Sequence, residues 1–395
     1  MKVEQYTWTS VDGWMPQLRA ADLARACGVV PLVLVFGATE LLAEGEHLGE
    51  IRRAFPSGYI VGCSTAGEIS GARVLDDSIV ATVIHFEHTQ LATAEIDLAE
   101  TRGSFDAGMK LASRLDPHGL SHVLVISDGL NVNGSELVKG LVAALPSGVR
   151  VTGGLSADGA RFQKTVVCCD SGAREKKVKV VGFYGNRLKI GCASMGGWDT
   201  FGPDRRVTRA KGNVLYELDG QPALDLYKTY LGEHAQGLPA SGLLFPLCVR
   251  NAESTEGVVG VVRTILAVNE ADGSMTFAGD IPEGSYARLM RANFDGLIDG
   301  AQGAAQATCG ESGAGGGGGG GDLHAAQLAI LISCVGRKLV LKQRVEEEVE
   351  AVQDVLGERA VLAGFYSYGE ISPFTATARC ELHNQTMTVT TFSER

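Results

Sequence analysis

Several features are missing from the 395-residue sequence, and each absence argues against a class of protein. No apolar run approaches the roughly 20 residues that a membrane-spanning helix needs. There is no long polybasic run, and the formal net charge is −11, so we expect neither nucleic-acid binding nor membrane insertion. The nine cysteines include no C-x-x-C pair, which removes the common zinc and dithiol motifs.

Two further absences concern location and nucleotide binding. Residues 1–6 are polar and lack the apolar segment of a signal peptide, so we expect a cytoplasmic protein with reduced cysteines. Neither a G-x-G-x-x-G fingerprint nor a Walker A loop occurs, which argues against a dinucleotide or P-loop site. What the chain does have is 45% hydrophobic residues, enough for a large core in two or three domains.

A short string occurs near each end of the chain. Residues 62–70 read GCSTAGEIS, and residues 364–372 read GFYSYGEIS. The two strings share the first glycine, a hydroxyl residue at the fourth position and the final Gly-Glu-Ile-Ser. Each follows a short apolar run, Tyr59–Val61 or Val361–Ala363, that is typical of a buried strand. The repetition indicates a duplicated structural unit.

The same order of elements surrounds both strings: strand, helix, strand, glycine loop, strand. It begins at Pro31–Phe36, His122–Ser127 and Leu328–Cys334, which are continuous apolar runs of the kind found in strands covered on both faces. Strands alternating with helices predict a mixed α/β (α+β) fold. We predict two interlocked lobes built from these repeated units, with approximate internal two-fold symmetry.

We predict three parts in the chain. These are an N-terminal extension at 1–28, with an amphipathic helix at Pro16–Ala26, a first domain at 29–220 and a second domain at 221–395. In the second domain, apolar residues at helical spacing predict one long helix at Tyr286–Ala307. The unbroken glycine run Gly315–Gly321 predicts a flexible loop over residues 310–322.

Polar residues collect where the predicted strands end. Ligands of open α/β sheets bind just beyond the carboxyl ends of strands, so we expect these residues to line one pocket formed from both ends of the chain. The predicted ligand-binding residues are Cys63, Ser64, Thr65, Glu68, Asp128, Cys334, Arg337, Tyr366, Tyr368, Glu370 and Asn384.

Each of the more reactive candidates has a structural alternative. Glu68 and Glu370 either bind polar groups of a ligand or accept backbone N–H groups and hold their own loops. Cys334, close to Arg337, is either an activated thiol or a packed core cysteine. An enzyme that acts on a small polar substrate through the glutamates or Cys334 is therefore the alternative to a binding protein.

These segments resemble a known family. Residues 62–69 resemble the signature of the N-terminal FIST domain, while Ser333–Arg337, Gly364–Ile371 and Leu382–Thr386 resemble motifs of the C-terminal FIST domain. The resemblance covers roughly residues 30–392. It implies a bacterial sensory module that binds a small ligand and signals through a partner protein. One branch of the family consists of nitric-oxide-sensing haemoproteins that regulate histidine kinases, which implies haem as a cofactor and a kinase as the partner.

The haemoprotein resemblance requires an axial ligand for the iron. By strand alternation His383 shares a face with Met387, so His383 is our first candidate, followed by His122 and His85. The helix predicted at Tyr286–Ala307 would form one wall of the haem slot. The alternative is that His383 is a hydrogen-bonded core histidine.

Overall fold

The computed structural model describes residues 1–18, 30–250, 260–310, 326–374 and 379–394. The helix predicted at Pro16–Ala26 and the loop predicted at 310–322 lie almost wholly outside these residues. None of the described helices combines the length and the apolar character needed to cross a membrane.

One structural unit occurs three times. The first copy contains β1 (Lys2–Thr9), β2 (Gly13–Met15), β3 (Leu32–Gly37), α1 (Thr39–Glu44), α2 (Glu46–Ala54), β4 (Tyr59–Ser64), β5 (Glu68–Ser70), β6 (Arg73–Leu75) and β7 (Ile79–His85). The second copy contains β8 (Gln90–Asp97), α3 (Ser104–Ser113), β9 (Leu120–Ser127), α4 (Gly134–Ala144), β10 (Arg150–Leu155), β11 (Val167–Cys169), β12 (Gly172–Arg174) and β13 (Lys177–Tyr184).

The third copy is interrupted after its first strand, β14 (Leu188–Met195). The interruption forms a second lobe that contains β15 (Asp199–Lys211), β16 (Val214–Leu218), β17 (Gln221–Pro222), α5 (Ala223–Leu231), β18 (Leu247–Arg250), β19 (Val261–Arg263), β20 (Ile265–Asn269), β21 (Ser274–Phe277) and β22 (Tyr286–Arg291). The copy then continues with α6 (Phe294–Gly310), β23 (Leu328–Cys334), α7 (Val335–Leu341), α8 (Val345–Leu356), β24 (Val361–Ser367), β25 (Gly369–Pro373), β26 (Cys380–His383) and β27 (Met387–Glu394).

Each copy contributes the centre of one sheet. The central strands are the parallel pairs β3–β4, β9–β10 and β23–β24, each joined through helices. A third strand, β7, β13 or β27, runs antiparallel to the first strand of its pair. Helical connections of this kind are what parallel strands require, which is why the strand-helix-strand pattern could be recognised in the sequence.

The inner faces of the three sheets pack on one another. Alternate residues of the first central strands, such as Phe36, Ile126 and Ile330, belong to one buried apolar cluster. The rings of Phe36 and Phe365 lie 4.6 Å apart between centroids. The opposite face of β3, including Val33, packs on the helices α1 and α2. Coverage on both faces explains why these strands are continuous apolar runs.

The strand that follows each central pair is exchanged between the copies. We call these strands, β5, β11 and β25, the crossing strands, and the turn that leads into each of them a crossover. Instead of joining its own sheet, β5 pairs with β24, β25 pairs with β10, and β11 pairs with β4. The hairpin partners β6, β26 and β12 follow them into the same sheets. Every sheet is therefore completed by a strand that follows the central pair of another sheet.

A closed set of backbone hydrogen bonds lies at the centre of this exchange. In each copy, a residue just after the second central strand donates its backbone N–H to a carbonyl oxygen of another copy. The three bonds run from Ala66 to Tyr366 at 2.8 Å, from Tyr368 to Leu155 at 3.3 Å and from Ala157 to Ser64 at 2.9 Å. The mixed α/β fold with repeated units is confirmed, but the repeats are related by a three-way exchange. The expectation of two-fold symmetry was wrong because the copy at 120–184 takes part equally.

The two-lobe organisation is also confirmed. The first lobe consists of the three exchanged sheets, and the second is an eight-stranded antiparallel sheet with the strand order β19-β18-β22-β15-β16-β21-β20, in which β17 pairs with β16. Its core contains side chains of α5, such as Leu224 and Tyr227, packed on strand residues such as Phe277.

Two predicted elements differ from the structure. The single helix predicted at Tyr286–Ala307 is the strand β22 followed by α6, because alternate residues such as Ala287 and Leu289 are buried between β15 and β18. The chain from Cys380 to Phe392 is two strands, since β26 belongs to the sheet of β9 and β27 to the sheet of β23. His383 and Met387 consequently do not lie on one strand.

Close strand contacts require glycine at the start of the crossovers. Gly62 and Gly364 occupy the same register position, opposite Val35 and Leu331 of the neighbouring strands. A Cβ atom at these positions would lie 1.7 Å from the Val35 carbonyl oxygen and 1.8 Å from that of Leu331. Neither contact is sterically allowed, so only glycine at these positions lets the main chains of the neighbouring strands come this close.

We expect Gly62→Ala to destabilise the protein strongly, by about 3 kcal/mol or more, because the main chain of β3 would have to move. The matched control is Gly49→Ala in α2, where the nearest atom to a new Cβ is the end of the Arg53 side chain at 3.5 Å. That change should be neutral or stabilising by up to about 1 kcal/mol, since alanine favours helix. Denaturant unfolding of both variants tests the contrast, and equal stabilities would contradict the steric argument.

Candidate functional site

The two repeated strings occupy equivalent positions in the fold. Glu68 begins β5 and pairs with Phe365, and Glu370 of β25 pairs with Gly154. The corresponding residue of the second copy is Val167 of β11. Two of the three crossing strands therefore carry a buried carboxyl group at the same place.

Glu68 accepts hydrogen bonds from hydroxyl groups on either side of its hairpin. The Thr65 O–H donates to Oε1, and the Ser78 O–H donates to Oε2 at 2.6 Å. Burial nevertheless raises the pKa of Glu68 to about 7. The hydroxyl groups lower this pKa because they stabilise the carboxylate, but loss of solvation is the larger effect.

Glu370 has an equivalent set of partners. Ser367 Oγ donates to Oε1 at 2.7 Å, and the N–H and O–H of Thr386 donate to Oε2 at 3.2 and 3.0 Å. Burial raises the pKa of Glu370 to about 8. Among the described residues, the two glutamates share no hydrogen-bond partner. Each holds its own crossover, which is the structural alternative considered for both.

Arg337 lies in a buried ion pair that the sequence did not reveal. Its Nε and Nη2 atoms lie 2.9 and 2.7 Å from Glu348 Oε2. Nη1 donates to the Gly196 carbonyl at 2.8 Å and Nη2 to that of Leu297 at 2.6 Å, while Tyr366 O–H donates to Glu348 Oε1 at 2.7 Å. These bonds join α6, α7 and α8, so Arg337 serves the fold directly.

Tyr368 forms a second buried network. Its O–H donates to Asp158 Oδ1, and its ring stacks on Phe162 with the centroids 4.7 Å apart. Asp158 also accepts the backbone N–H groups of residues 162–164 at 2.9–3.0 Å. Nothing in the sequence connected Asp158 with Tyr368.

The other polar candidates bind backbone groups. Asp128 accepts three backbone N–H groups at 2.7–2.8 Å. Ser64 Oγ accepts the N–H of Val166 at 2.9 Å, and Asn384 donates to the Tyr368 carbonyl at 3.0 Å. Such contacts satisfy backbone groups that would otherwise be buried without a partner.

The two candidate cysteines are buried thiols. Cys63 and Cys334 have no exposed surface, and burial raises the pKa of each thiol well above its usual range. Since the thiolate is the reactive form, neither side chain offers a nucleophile near neutral pH. The geometry therefore gives no support to the enzymatic alternative through Cys334.

All the predicted site residues are buried, with at most 4% of their surface exposed. They gather around the crossovers in separate networks, and none of them lines the groove described below. Their assignment to a ligand pocket stays a prediction. Among the described residues, no group of three or more His, Cys, Asp and Glu side chains is placed to hold a metal ion.

A groove of about 730 Å³ lies between the lobes. Helix α4 forms one wall, β18, β19 and residues 280–282 form the other, and β26 forms the floor. Apolar side chains include Val138, Val142, Val249 and Val261, and the charged side chains are Lys139, Arg263, Asp280, Arg379 and Glu381. Sequence analysis missed this groove because its walls come from four separate parts of the chain.

Arg263 is the most buried charged group of the groove, with 8% of its surface exposed. Nε donates to the Asp280 carbonyl at 3.0 Å and Nη1 to the Leu382 carbonyl at 2.9 Å, which joins the lobes. In the described ranges, no carboxylate oxygen lies within 4.0 Å of the guanidinium. Burial lowers the pKa of Arg263 to about 10, so the group remains a cation at neutral pH.

Comparison with protein families gives two adjacent matches. Residues 31–221 match the FIST N domain, and residues 223–373 match the FIST C domain. The chain belongs to the FIST family. FIST domains are known as small-ligand-sensing domains of signal transduction. The resemblance noted in the sequence is thereby confirmed.

Individual relatives are distant. The uncharacterized protein MJ1623 of Methanocaldococcus jannaschii is 24% identical over 274 residues, which are 62% of this chain and 51% of that protein. The chain thus spans about half the length of that relative. The crystal structure of cyanuric acid hydrolase from A. caulinodans aligns with 100% of this chain and 98% of its own, at 10% identity and a TM-score of 0.38. A likeness this low carries no argument about activity.

The buried glutamates predict a pH dependence of stability. The folded protein retains protons on Glu370 that the unfolded chain releases, so stability should fall as the pH rises from about 5 through about 8. In Glu370→Gln this position stays neutral, and the thermal midpoint should depend less on pH across this range. The control is Glu381→Gln at an exposed position, which should keep the wild-type slope. Parallel profiles for wild type and Glu370→Gln would contradict the expectation.

Proposed function

We propose that this protein is a small-ligand sensor whose ligand binds in the groove between the lobes. The groove itself is the observation that carries the proposal. Its volume of about 730 Å³ is within the usual range of ligand sites, and boundaries between domains are a common place for them. Its lining combines apolar walls with a small number of charged groups, which is the composition that such sites need.

A ligand in this groove would contact both lobes at once. Polar links across this junction include those of Asn133 and Lys139 of the α4 region to Asp280 at 2.7 and 2.6 Å, and that of Arg263 to Leu382. A ligand that adds contacts across this junction stabilises one arrangement of the lobes over others. We propose that this shift of arrangement is the signal.

The proposed signal is passed by contact. The response would be read by a partner protein, such as a histidine kinase in the cytoplasm of a bacterium, as the resemblance to the nitric-oxide-sensing branch of the family implies. Ligand-dependent co-purification with such a kinase would support this part of the proposal.

Haem with nitric oxide is the finer form of the proposal, in which the iron would bind His383 through Nδ1, the ring nitrogen without a hydrogen-bond partner among the described residues. The His383 Nε2–H donates to the Ser372 carbonyl at 2.8 Å, and its ring packs edge-on against Phe374 at 4.3 Å. Burial lowers the pKa of His383 to about 4, as expected for a core histidine. Reconstitution with haemin tests this form directly: a stoichiometric Soret band that His383→Ala abolishes would support it, and its absence would leave the general sensor.

The groove can be blocked without touching the core. Val142 lines the groove on α4 and is 37% exposed, so Val142→Trp should fill part of the groove while the protein remains folded. In a thermal-shift screen of a metabolite library, a ligand of the wild type should lose at least about tenfold in affinity for this variant. The matched control, Ser113→Trp at an exposed position of α3, should bind normally. Unchanged binding by Val142→Trp would place the ligand elsewhere.

A further inference from the structure

The groove contains a pair of donors that point to the charge of its ligand. Arg263 Nη2 has a single contact among the described residues, the long one to Ser135 Oγ at 3.4 Å. Ser135 Oγ also accepts the Asp280 N–H at 3.2 Å, and no described acceptor takes its own proton. One guanidinium N–H and one hydroxyl are therefore left to donate side by side.

The backbone adds positive potential at the same place. Ser135 lies in the first turn of α4, an 11-residue helix whose start is capped by the Asn133 side chain. The N-terminal end of a helix favours a negative group. This effect and the buried Arg263 cation act in the same direction, although the whole protein has a formal charge of −11.

We infer that the groove binds a small organic carboxylate, with the carboxylate held by Arg263 Nη2–H and Ser135 O–H and its apolar body lying along Val138, Val142 and Val261. This inference rests on the proposed function, because it names the ligand class of the same groove.

The neighbouring charges favour a singly charged anion without an ammonium group. Asp280 lies in the groove, but its two carboxylate oxygens accept hydrogen bonds from Asn133 Nδ2 and Lys139 Nζ. It therefore has no need of a ligand cation. The groove is lined by three cationic and two anionic side chains, a net charge of +1 that matches a singly charged anion. The two hydrogen-bond donors match the two oxygens of a carboxylate, whereas a phosphate group has three oxygens to be bound by donors.

The site is tightly enclosed on one side. A Cβ atom on Gly279 would lie 2.5 Å from Ser135 Oγ and 3.2 Å from Arg263 Cζ. Gly279 therefore permits the donors to approach each other, and Gly279→Ala would displace the Ser135 hydroxyl. This gives a way to perturb the pair without removing either donor.

The test is isothermal titration of the full chain with five probes that share a phenyl body: phenylacetate, 2-phenylethanol, phenethylamine, L-phenylalanine and phenyl phosphate. We expect phenylacetate to bind most tightly, with the alcohol and the amine weaker by at least about tenfold, the size of effect expected for one charge-assisted hydrogen bond. Phenyl phosphate and the zwitterion should lie between. An alcohol, amine or phosphate that binds as tightly as the acid would overturn the inference.

Variants then assign the carboxylate to its donors. Arg263→Gln should weaken phenylacetate binding at least about tenfold and remove the preference over the alcohol. Arg206→Gln removes an exposed arginine that does not line the groove and is the charge-matched control. Because Arg263 also joins the lobes, Arg263→Gln need not be the deciding variant: Ser135→Ala and Gly279→Ala replace it if it fails to fold. Both should weaken the binding of phenylacetate and leave the binding of 2-phenylethanol unchanged.

The two proposals can fail separately. Wild-type affinity for phenylacetate in the folded donor variants would overturn the carboxylate inference, and so would the absence of binding by all five probes. If a library ligand still binds in a manner sensitive to Val142→Trp, the groove remains the sensor site and only its ligand class is wrong.

Discussion

The structure depends on the three-way exchange of crossing strands. The strands β5, β11 and β25 each complete the sheet of another copy, and the N–H groups of Ala66, Ala157 and Tyr368 close the exchange at its centre. Withdrawing one strand would leave buried backbone groups unpaired in two places, at about 1–3 kcal/mol each. No copy can complete its sheet alone, so the three repeats form one connected body.

The exchange also explains why so many polar side chains are buried. A chain that leaves one sheet for another turns within the core, and its backbone groups lose the partners that a regular ladder provides. Glu68, Glu370 and Asp158 accept donors at these turns. The carboxyl groups are thus part of the means by which the chain changes sheets, which accounts for their repetition and for their distance from open surface.

Ligand binding is proposed where the repeat is interrupted. The second lobe is inserted after β14 and packs on α4 and β26, so the groove has one wall from each lobe. A sensor needs a site that is coupled to relative movement, and a junction between two lobes is better suited to this than the closed centre of the exchange. The centre supplies rigidity, and the junction supplies a place where a small free energy of binding can change an arrangement.

The sequence by itself determined the local structure and the family. The apolar runs at Pro31–Phe36 and Leu328–Cys334 predicted buried strands, and the two Gly-Glu-Ile-Ser strings placed the crossovers correctly. Only the tertiary structure decided which sheet each crossing strand joins, that Arg337 pairs with Glu348, and that Arg263 meets Ser135 between the lobes. The physical reason is that strand periodicity and turn residues act over a few neighbours, whereas strand exchange and lobe packing join residues that are far apart in the chain and leave no periodic signal in it.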